Sequence, residues 1–206
     1  MRLPLRRIRS AAVVATALLA SGAQAGEVGA GSAPASADFR DAETGLTFTV
    51  PPSLVLGKRR GHPGHDFVVE VDSTTLPRAG TSKSLCGVGL KTQPDEVQAL
   101  DQATLSSPEM IEETLESMRL TLGMLGRVDA IGAVDFGGGL RGVAAVTTPS
   151  FGPDHDDVRQ YIAIAETPAY RISLSCATTA AALDEARPLF EALLGSMRIE
   201  AAPEGR

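Results

Sequence analysis

Three short segments in the first half of the chain alternate apolar and polar residues, with the period of a half-buried β-strand. They cover residues 46–50, 66–73 and 87–91. The first run stops at Pro51 and Pro52, which have no backbone N–H to donate to a ladder. The pattern therefore predicts three strands, each with one face in the core.

The middle of the chain changes to the period of an α-helix. Ser107 is a side-chain cap, and Pro108 fits the first helical position. Apolar residues then recur at intervals of three and four, which builds one buried stripe. That stripe consists of Ile111, Leu115, Met118, Leu122 and Leu125. We expect the helix to end at Gly123 or Gly126.

The last third returns to strands and closes with a second helix. Four alternating runs, 127–136, 140–148, 158–166 and 170–178, predict two successive hairpins and hence four adjacent antiparallel strands. A helix from about residue 180 to 197 follows, capped by Thr179, with Pro188 expected to kink it or mark its true start. Its predicted inward residues are Leu183, Ala186, Phe190, Leu193, Leu194 and Met197.

These elements predict an α+β fold. An antiparallel sheet must bury its apolar face against something, and the two main helices are the available cover, which gives an α/β/α-like sandwich. We expect residues 38–200 to form a single domain and residues 201–206 to be a disordered tail.

The N-terminal residues have the three parts of a secretory signal peptide. Four arginines and no acid occupy the first nine residues, a largely apolar run follows over residues 11–20, and small residues stand at Ala23 and Ala25. The apolar run is about half of the roughly twenty residues that span a bilayer, which favours cleavage after Ala25 over anchoring. Residues 26–37, rich in Gly, Ala and Ser, then predict a flexible leader. We therefore expect a periplasmic or secreted protein.

The charge balance excludes several partners. The chain has 19 Lys and Arg residues against 25 Asp and Glu. Removal of residues 1–25, which hold four arginines and no acid, leaves 15 against 25, a net charge of −10. Nucleic acids and anionic membranes attract clustered cations, so we expect no nucleic-acid binding and no stable membrane insertion. The run Lys58-Arg59-Arg60 is too short to reverse this and is typical of a solvated loop.

The two cysteines, Cys86 and Cys176, each lie on the apolar side of an alternating segment. In an oxidising compartment a disulfide between them is the expected state. Two separate buried thiols or a transient redox pair remain alternatives, although the chain has no C-x-x-C motif.

The order of these elements and three segments of the sequence resemble a known family. The segments are "GLTFTVPPSLVL" at 45–56, "YIAIAETPAYRISLSCATT" at 161–179 and "FEALLGSMRIE" at 190–200. Over residues 38–200 the chain resembles the PsbP/Mog-type fold, which includes photosystem-associated PsbP proteins, Ran-binding Mog proteins and small exported bacterial domains. The resemblance implies binding and assembly modules without a shared active site.

One local cluster has metal-binding chemistry. In "GHPGHD", His62, His65 and Asp66 offer imidazole and carboxylate ligands suited to a divalent transition metal. His155 would complete such a site if the fold brought the two segments together. Exposed polar loops are the alternative interpretation of both segments.

No hydrolase motif is present: the chain lacks G-x-S-x-G, and no serine has a recognisable base partner in sequence. We therefore expect a non-enzymatic binding or assembly module without a cofactor, whose partner is an unknown envelope protein or small ligand. Metal binding by the histidines is the alternative function, and envelope scaffolding through a sheet edge or the acidic helix face is a third.

Overall fold

The structure is a computed structural model that describes residues 36–200. The predicted signal peptide, residues 1–25, and the predicted tail, residues 201–206, lie outside the described residues. So does most of the predicted leader, residues 26–37. Its last residue is not part of a leader, because Ala37 begins the first strand.

Ten strands are present in the described part of the chain. In chain order they are β1 (Ala37–Arg40), β2 (Leu46–Val50), β3 (Leu54–His62), β4 (His65–Ser73), β5 (Cys86–Thr92), β6 (Gly126–Asp135), β7 (Arg141–Pro149), β8 (Val158–Glu166), β9 (Tyr170–Thr179) and β10 (Arg198–Ile199). Seven of them form a large sheet in the order β3-β4-β5-β9-β8-β7-β6, and β1-β2-β10 form a small one. Every pair of neighbours is antiparallel.

The sheet confirms the predicted α+β class and the four adjacent strands of the last third, β6 to β9. The small sheet and β3 were not predicted. The sequence predicts a solvated loop for the run Lys58-Arg59-Arg60. This prediction is wrong, because the run lies within β3, at the edge of the large sheet. Cationic side chains at an exposed edge discourage pairing with other chains, so a polar strand is reasonable there.

Four helices connect the strands: α1 (Asp95–Gln98), α2 (Gln102–Leu105), α3 (Pro108–Leu125) and α4 (Leu183–Ser196). The predicted cap and extent of α3 are confirmed, with the Ser107 side chain accepting a hydrogen bond from the Met110 N–H at 3.3 Å and the helix ending at Gly126. The predicted stripe is correct except at Leu125, which is 48% exposed. No helix within residues 36–200 combines the length and apolar character needed to cross a membrane.

The start of α4 was predicted wrongly. Thr179 is the last residue of β9 and does not cap the helix; Ala182 holds the cap position without a side-chain bond. Pro188 lies inside the helix and does not mark its start. Its missing N–H leaves the carbonyl of Asp184 without a helical donor, and this residue is exposed to water. The predicted inward face is confirmed, since all six of its residues are buried.

The two longer helices pack on opposite faces of the large sheet. Along β8, Ala163 belongs to the main core with Phe190 of α4, whereas Ile162 and Ile164 pack with Ile111 and Met118 of α3. The main core also contains Leu46, Phe48 and Val50 of β2, so the small sheet shares the covering of that face with α4.

A disulfide joins Cys86 and Cys176, which lie directly opposite each other on β5 and β9. Each cysteine is 1% exposed and faces the main core. The bridge links two strands 90 residues apart in the chain. It therefore fixes the central pair of the sheet.

Tyr161 is expected to make the protein sensitive to alkaline pH. Its hydroxyl is buried without a hydrogen-bond partner among the described residues, and burial raises the pKa of Tyr161 from 10.0 to about 12. Above pH 10 the unfolded state loses this proton first, so stability should fall as the pH rises toward 12. Tyr161→Phe should keep or slightly raise the stability at pH 8, by up to about 1 kcal/mol, because an unsatisfied group is removed.

Urea unfolding of both proteins at pH 8 and pH 11 checks this expectation. Tyr170→Phe changes the chain's other tyrosine and serves as the control, which should retain the alkaline loss. An equal loss of stability in wild type and Tyr161→Phe would contradict the assignment.

Candidate functional site

One face of the large sheet is only partly covered. On the side where α3 packs against β6 and β7, the strands β9, β5, β4 and β3 are left open. A groove of about 660 Å³ lies there, and we call it the open groove. Its floor carries the small residues Gly87, Gly89, Ser173 and Ser175. The hairpin β3–β4 and the loop at residues 82–85 form its walls.

The floor is the reverse of the disulfide-bonded face. Because side chains alternate across a strand, Ser173 and Ser175 point away from the core that holds Leu174 and Cys176. Because the side chains at these positions are small, they leave space between the walls, and the groove is deep.

An imidazole spans the floor across three strands. His65, at the start of β4, extends over Gly89 of β5 and places its Nε2 atom 3.0 Å from the Ser173 Oγ atom of β9. Only glycine leaves room for this ring. A Cβ atom on Gly89 would overlap the imidazole and lie 2.6 Å from Ser173 Oγ.

His62 and His65 face each other at the end of the hairpin. They are cross-strand partners at the end of β3 and the start of β4, joined by Pro63 and Gly64. Their Nδ1 atoms are 3.3 Å apart, and the Gly64 N–H donates to His62 Nδ1 at 3.2 Å. The segment is therefore a tight hairpin turn, and the pairing of β3 with β4 places the two histidines side by side.

The other two predicted metal ligands are placed elsewhere. Asp66 accepts hydrogen bonds from the Thr92 N–H at 2.7 Å and the Thr92 hydroxyl at 2.6 Å, and pairs with Lys91 at 3.2 Å. The hydroxyl bond from Thr92 is the main cause that lowers the pKa of Asp66. Its oxygens are therefore already engaged.

His155 precedes β8 and contacts the Gly152 carbonyl and Asp156. The start of β8 pairs with Thr179, six residues along β9 from Ser173, which is about 20 Å. His155 therefore does not meet the His62–His65 pair. Within residues 36–200, no three His, Cys, Asp or Glu side chains are grouped so that they could hold a metal ion.

The surroundings of His65 favour the neutral form of its ring. Burial is the main cause that lowers the pKa of His65 from 6.5. The positive charges of His62, Lys91 and Arg171 lower this pKa further, and the negative charge of Asp66 raises it. A neutral ring can donate one hydrogen bond and accept another.

Ser173 therefore has an imidazole partner that sequence analysis did not find. The signal was present in the alternation of residues 170–176, whose outward positions include two serines, but the strand order β4-β5-β9 cannot be derived from sequence alone. The Ser173 hydroxyl also lies 3.4 Å from the Gly89 carbonyl, so it can donate there and accept from His65 Nε2. His65 Nδ1 faces His62 and not a carboxylate. The arrangement therefore differs from a Ser-His-Asp triad, in which a carboxylate orients the imidazole at this atom.

Replacing Gly89 with alanine is expected to separate His65 from Ser173. The added Cβ atom displaces two side chains and no backbone, so the fold should survive. The displaced ring becomes more exposed, and the pKa of His65 should rise toward 6.5. Histidine NMR titration of EDTA-treated protein measures this shift. Gly61→Ala, where an added Cβ atom meets nothing within 4 Å, is the matched control.

Comparison with known proteins adds information on the fold. No protein-family model and no curated protein matches the chain. Among solved structures, cyanobacterial PsbP (CyanoP) from Synechocystis sp. PCC 6803 matches with a TM-score of 0.51 and 14% identity, over 85% of this chain and 99% of that one. The fold is PsbP-like. This confirms the resemblance drawn from the sequence, and at this identity it concerns the fold alone.

A second structure is similar at a lower level. It is a protein of unknown function from Pseudomonas aeruginosa, described as a putative regulator, with a TM-score of 0.40 and 13% identity. The match covers 80% of this chain and 97% of that protein.

Proposed function

We propose that the protein is an exported, non-enzymatic binding module of the bacterial periplasm or envelope, and that its ligand occupies the open groove. The observation that carries the proposal is the groove itself. Its volume of about 660 Å³ lies within the range of about 300–1,000 Å³ typical of small-molecule sites. Its walls come from a hairpin and a loop that are both tied to the sheet.

The loop wall is anchored by three contacts. The Ala79 N–H donates to the Ala177 carbonyl at 3.3 Å, and the Thr178 hydroxyl donates to the Pro77 carbonyl at 2.8 Å. Arg78 donates to the Lys83 carbonyl at 2.6 Å. Because the walls of the groove are already fixed, binding a ligand there loses little conformational entropy. A ligand site is therefore favoured over a mobile surface loop.

Export is supported by the N-terminal pattern and by the disulfide. Paired cysteines of a small domain, such as Cys86 and Cys176, usually form a disulfide in an oxidising compartment, whereas disulfides are rare in the cytosol. The PsbP-like fold agrees with the binding and assembly modules that the resemblance of the sequence implies.

Filling the groove tests the proposal. Ser175 is exposed on the floor, so Ser175→Trp should occupy the groove without disturbing the core. Ala133→Trp introduces the same side chain at an exposed position of β6 outside the groove. Each protein is incubated with extract of its native envelope and repurified, and the retained molecules are identified by mass spectrometry.

We expect wild type and Ala133→Trp to retain the same molecule and Ser175→Trp to lose it. Equal retention by all three proteins, or no retained molecule in any of them, would refute the groove as the ligand site.

The geometry of His62 and His65 favours a second candidate, the binding of a divalent transition metal. Bonds of 2.0–2.1 Å from a tetrahedral zinc ion place two ligand nitrogens about 3.3–3.4 Å apart. The two Nδ1 atoms are 3.3 Å apart. The spacing of the two nitrogens therefore suits chelation of a metal, which would replace the hydrogen bond from the Gly64 N–H to His62 Nδ1.

Calorimetric titration with zinc and with copper tests this candidate. Wild type and His155→Ala should bind alike, whereas the double variant His62→Ala, His65→Ala should not bind. Absence of heat in wild type, or unchanged binding in the double variant, would end the metal hypothesis.

A further inference from the structure

The charge of the open groove is opposite to that of the domain around it. Residues 36–200 contain 14 Lys and Arg residues against 23 Asp and Glu. The groove is lined by two cations, Arg60 and Lys83, two imidazoles, and only one acid, Glu70. A local excess of positive charge in an acidic domain attracts anions to this place and repels them elsewhere.

The acid in the groove leaves Arg60 able to bind a ligand. The Nε atom of Arg60 forms an ion pair with Glu70, 3.0 Å from its Oε1 atom. This one contact engages one edge of the guanidinium and orients it, while its two terminal nitrogens have no ion pair among the described residues. Those nitrogens form the planar fork that binds carboxylate and phosphate oxygens.

Its neighbour Arg59 shows that this orientation is specific. Arg59 turns to the other face of β3, where it lies 4.1 Å from the ring centre of Phe67 and 3.3 Å from Asp41. The two arginines of one cationic run thus have different tasks. Arg59 is bound within the fold, and Arg60 is presented to the groove.

Lys83 provides a second cation from the opposite wall. Its backbone carbonyl is held by Arg78, which fixes the loop, and its side chain forms no ion pair within residues 36–200. Between the two walls the exposed floor residue Ser175 supplies a hydroxyl group. Two cations on opposite walls with a hydroxyl donor between them are suited to an oxyanion.

We infer that the ligand of the open groove is a small organic anion, bound through a carboxylate or phosphate group between Arg60 and Lys83. This inference rests on the proposed function and adds the chemical class of the ligand. The Ser175 hydroxyl of the floor and the Nε2–H of His62, whose Nδ1 atom accepts from the Gly64 N–H, complete the donors around the anionic group.

Histidine NMR on the protein purified after expression of the full chain tests the inference with matched probes. Phenyl phosphate is compared with phenol, and benzoate with benzamide, so that the two members of a pair share a phenyl ring and only one carries an anionic group. We expect the anionic member of at least one pair to shift the His62 and His65 signals, with about tenfold tighter binding than its neutral partner. The pair that responds distinguishes phosphate from carboxylate recognition.

Two charge variants locate the effect. Lys83→Gln should weaken the anionic probe about tenfold and leave the neutral probe unchanged. Arg119→Gln removes an exposed cation of α3 outside the groove and should change neither.

Three outcomes would overturn the inference. They are equal binding of neutral and anionic probes, equal loss in both variants, and no shift of the groove histidines with any probe. The proposed function is judged separately, because retention of an envelope molecule that Ser175→Trp abolishes would leave it standing in each case.

Discussion

Replacing Phe190 with alanine is expected to lower the free energy of unfolding by about 3–5 kcal/mol. Phe190 is fully buried in α4 and packs against Tyr161 of β8, with ring centres 5.8 Å apart. Truncation removes apolar contacts and leaves a cavity between the helix and the sheet. Because α4 covers the face opposite the open groove, its loosening affects the strands that form the groove floor.

Urea unfolding followed by circular dichroism measures this loss. Phe151→Ala is the matched control, since Phe151 is 64% exposed and its removal should cost less than about 0.5 kcal/mol. Similar losses in the two variants would contradict the assignment of Phe190 to the core.

Loss of the Cys86–Cys176 disulfide is expected to destabilise the protein by about 4 kcal/mol. The bridge closes a loop with a sequence separation of 90 residues, and opening it enlarges the unfolded ensemble. The double variant Cys86→Ala, Cys176→Ala should therefore melt well below wild type. It should also loosen the contact between β5 and β9, across which His65 of β4 reaches Ser173.

Thermal unfolding of wild type with and without a reductant provides the control. Reduced wild type should resemble the double variant, and the reductant should not affect the double variant. If two thiols can be labelled in unfolded protein without any reductant, the disulfide is absent.

The sequence predicted the elements whose pattern is local. The alternation in residues 170–176 and the stripe of α4 placed Leu174, Cys176 and Phe190 in the core correctly. The small sheet was missed because β1 has four residues and β10 has two, too few for a periodic signal. Its existence depends on contacts with β2 that sequence patterns do not show.

The candidate site was predicted only in part, because it joins distant segments. His65, Gly89 and Ser173 are each unremarkable in sequence, and only the strand order β4-β5-β9 brings them together. The metal prediction grouped residues by their proximity in the chain. In a strand, adjacent side chains point to opposite faces, so Asp66 could not join His65 in the groove.

Binding of a ligand in the open groove can be measured directly with the three histidines of the chain as reporters. His62 and His65 line the open groove, and His155 lies outside it. Histidine NMR spectra are recorded while extract of the native envelope is added. If the ligand occupies the open groove, the His62 and His65 signals shift and the His155 signal does not. Unchanged His62 and His65 signals, or a shift of the His155 signal alone, would contradict this location of the ligand.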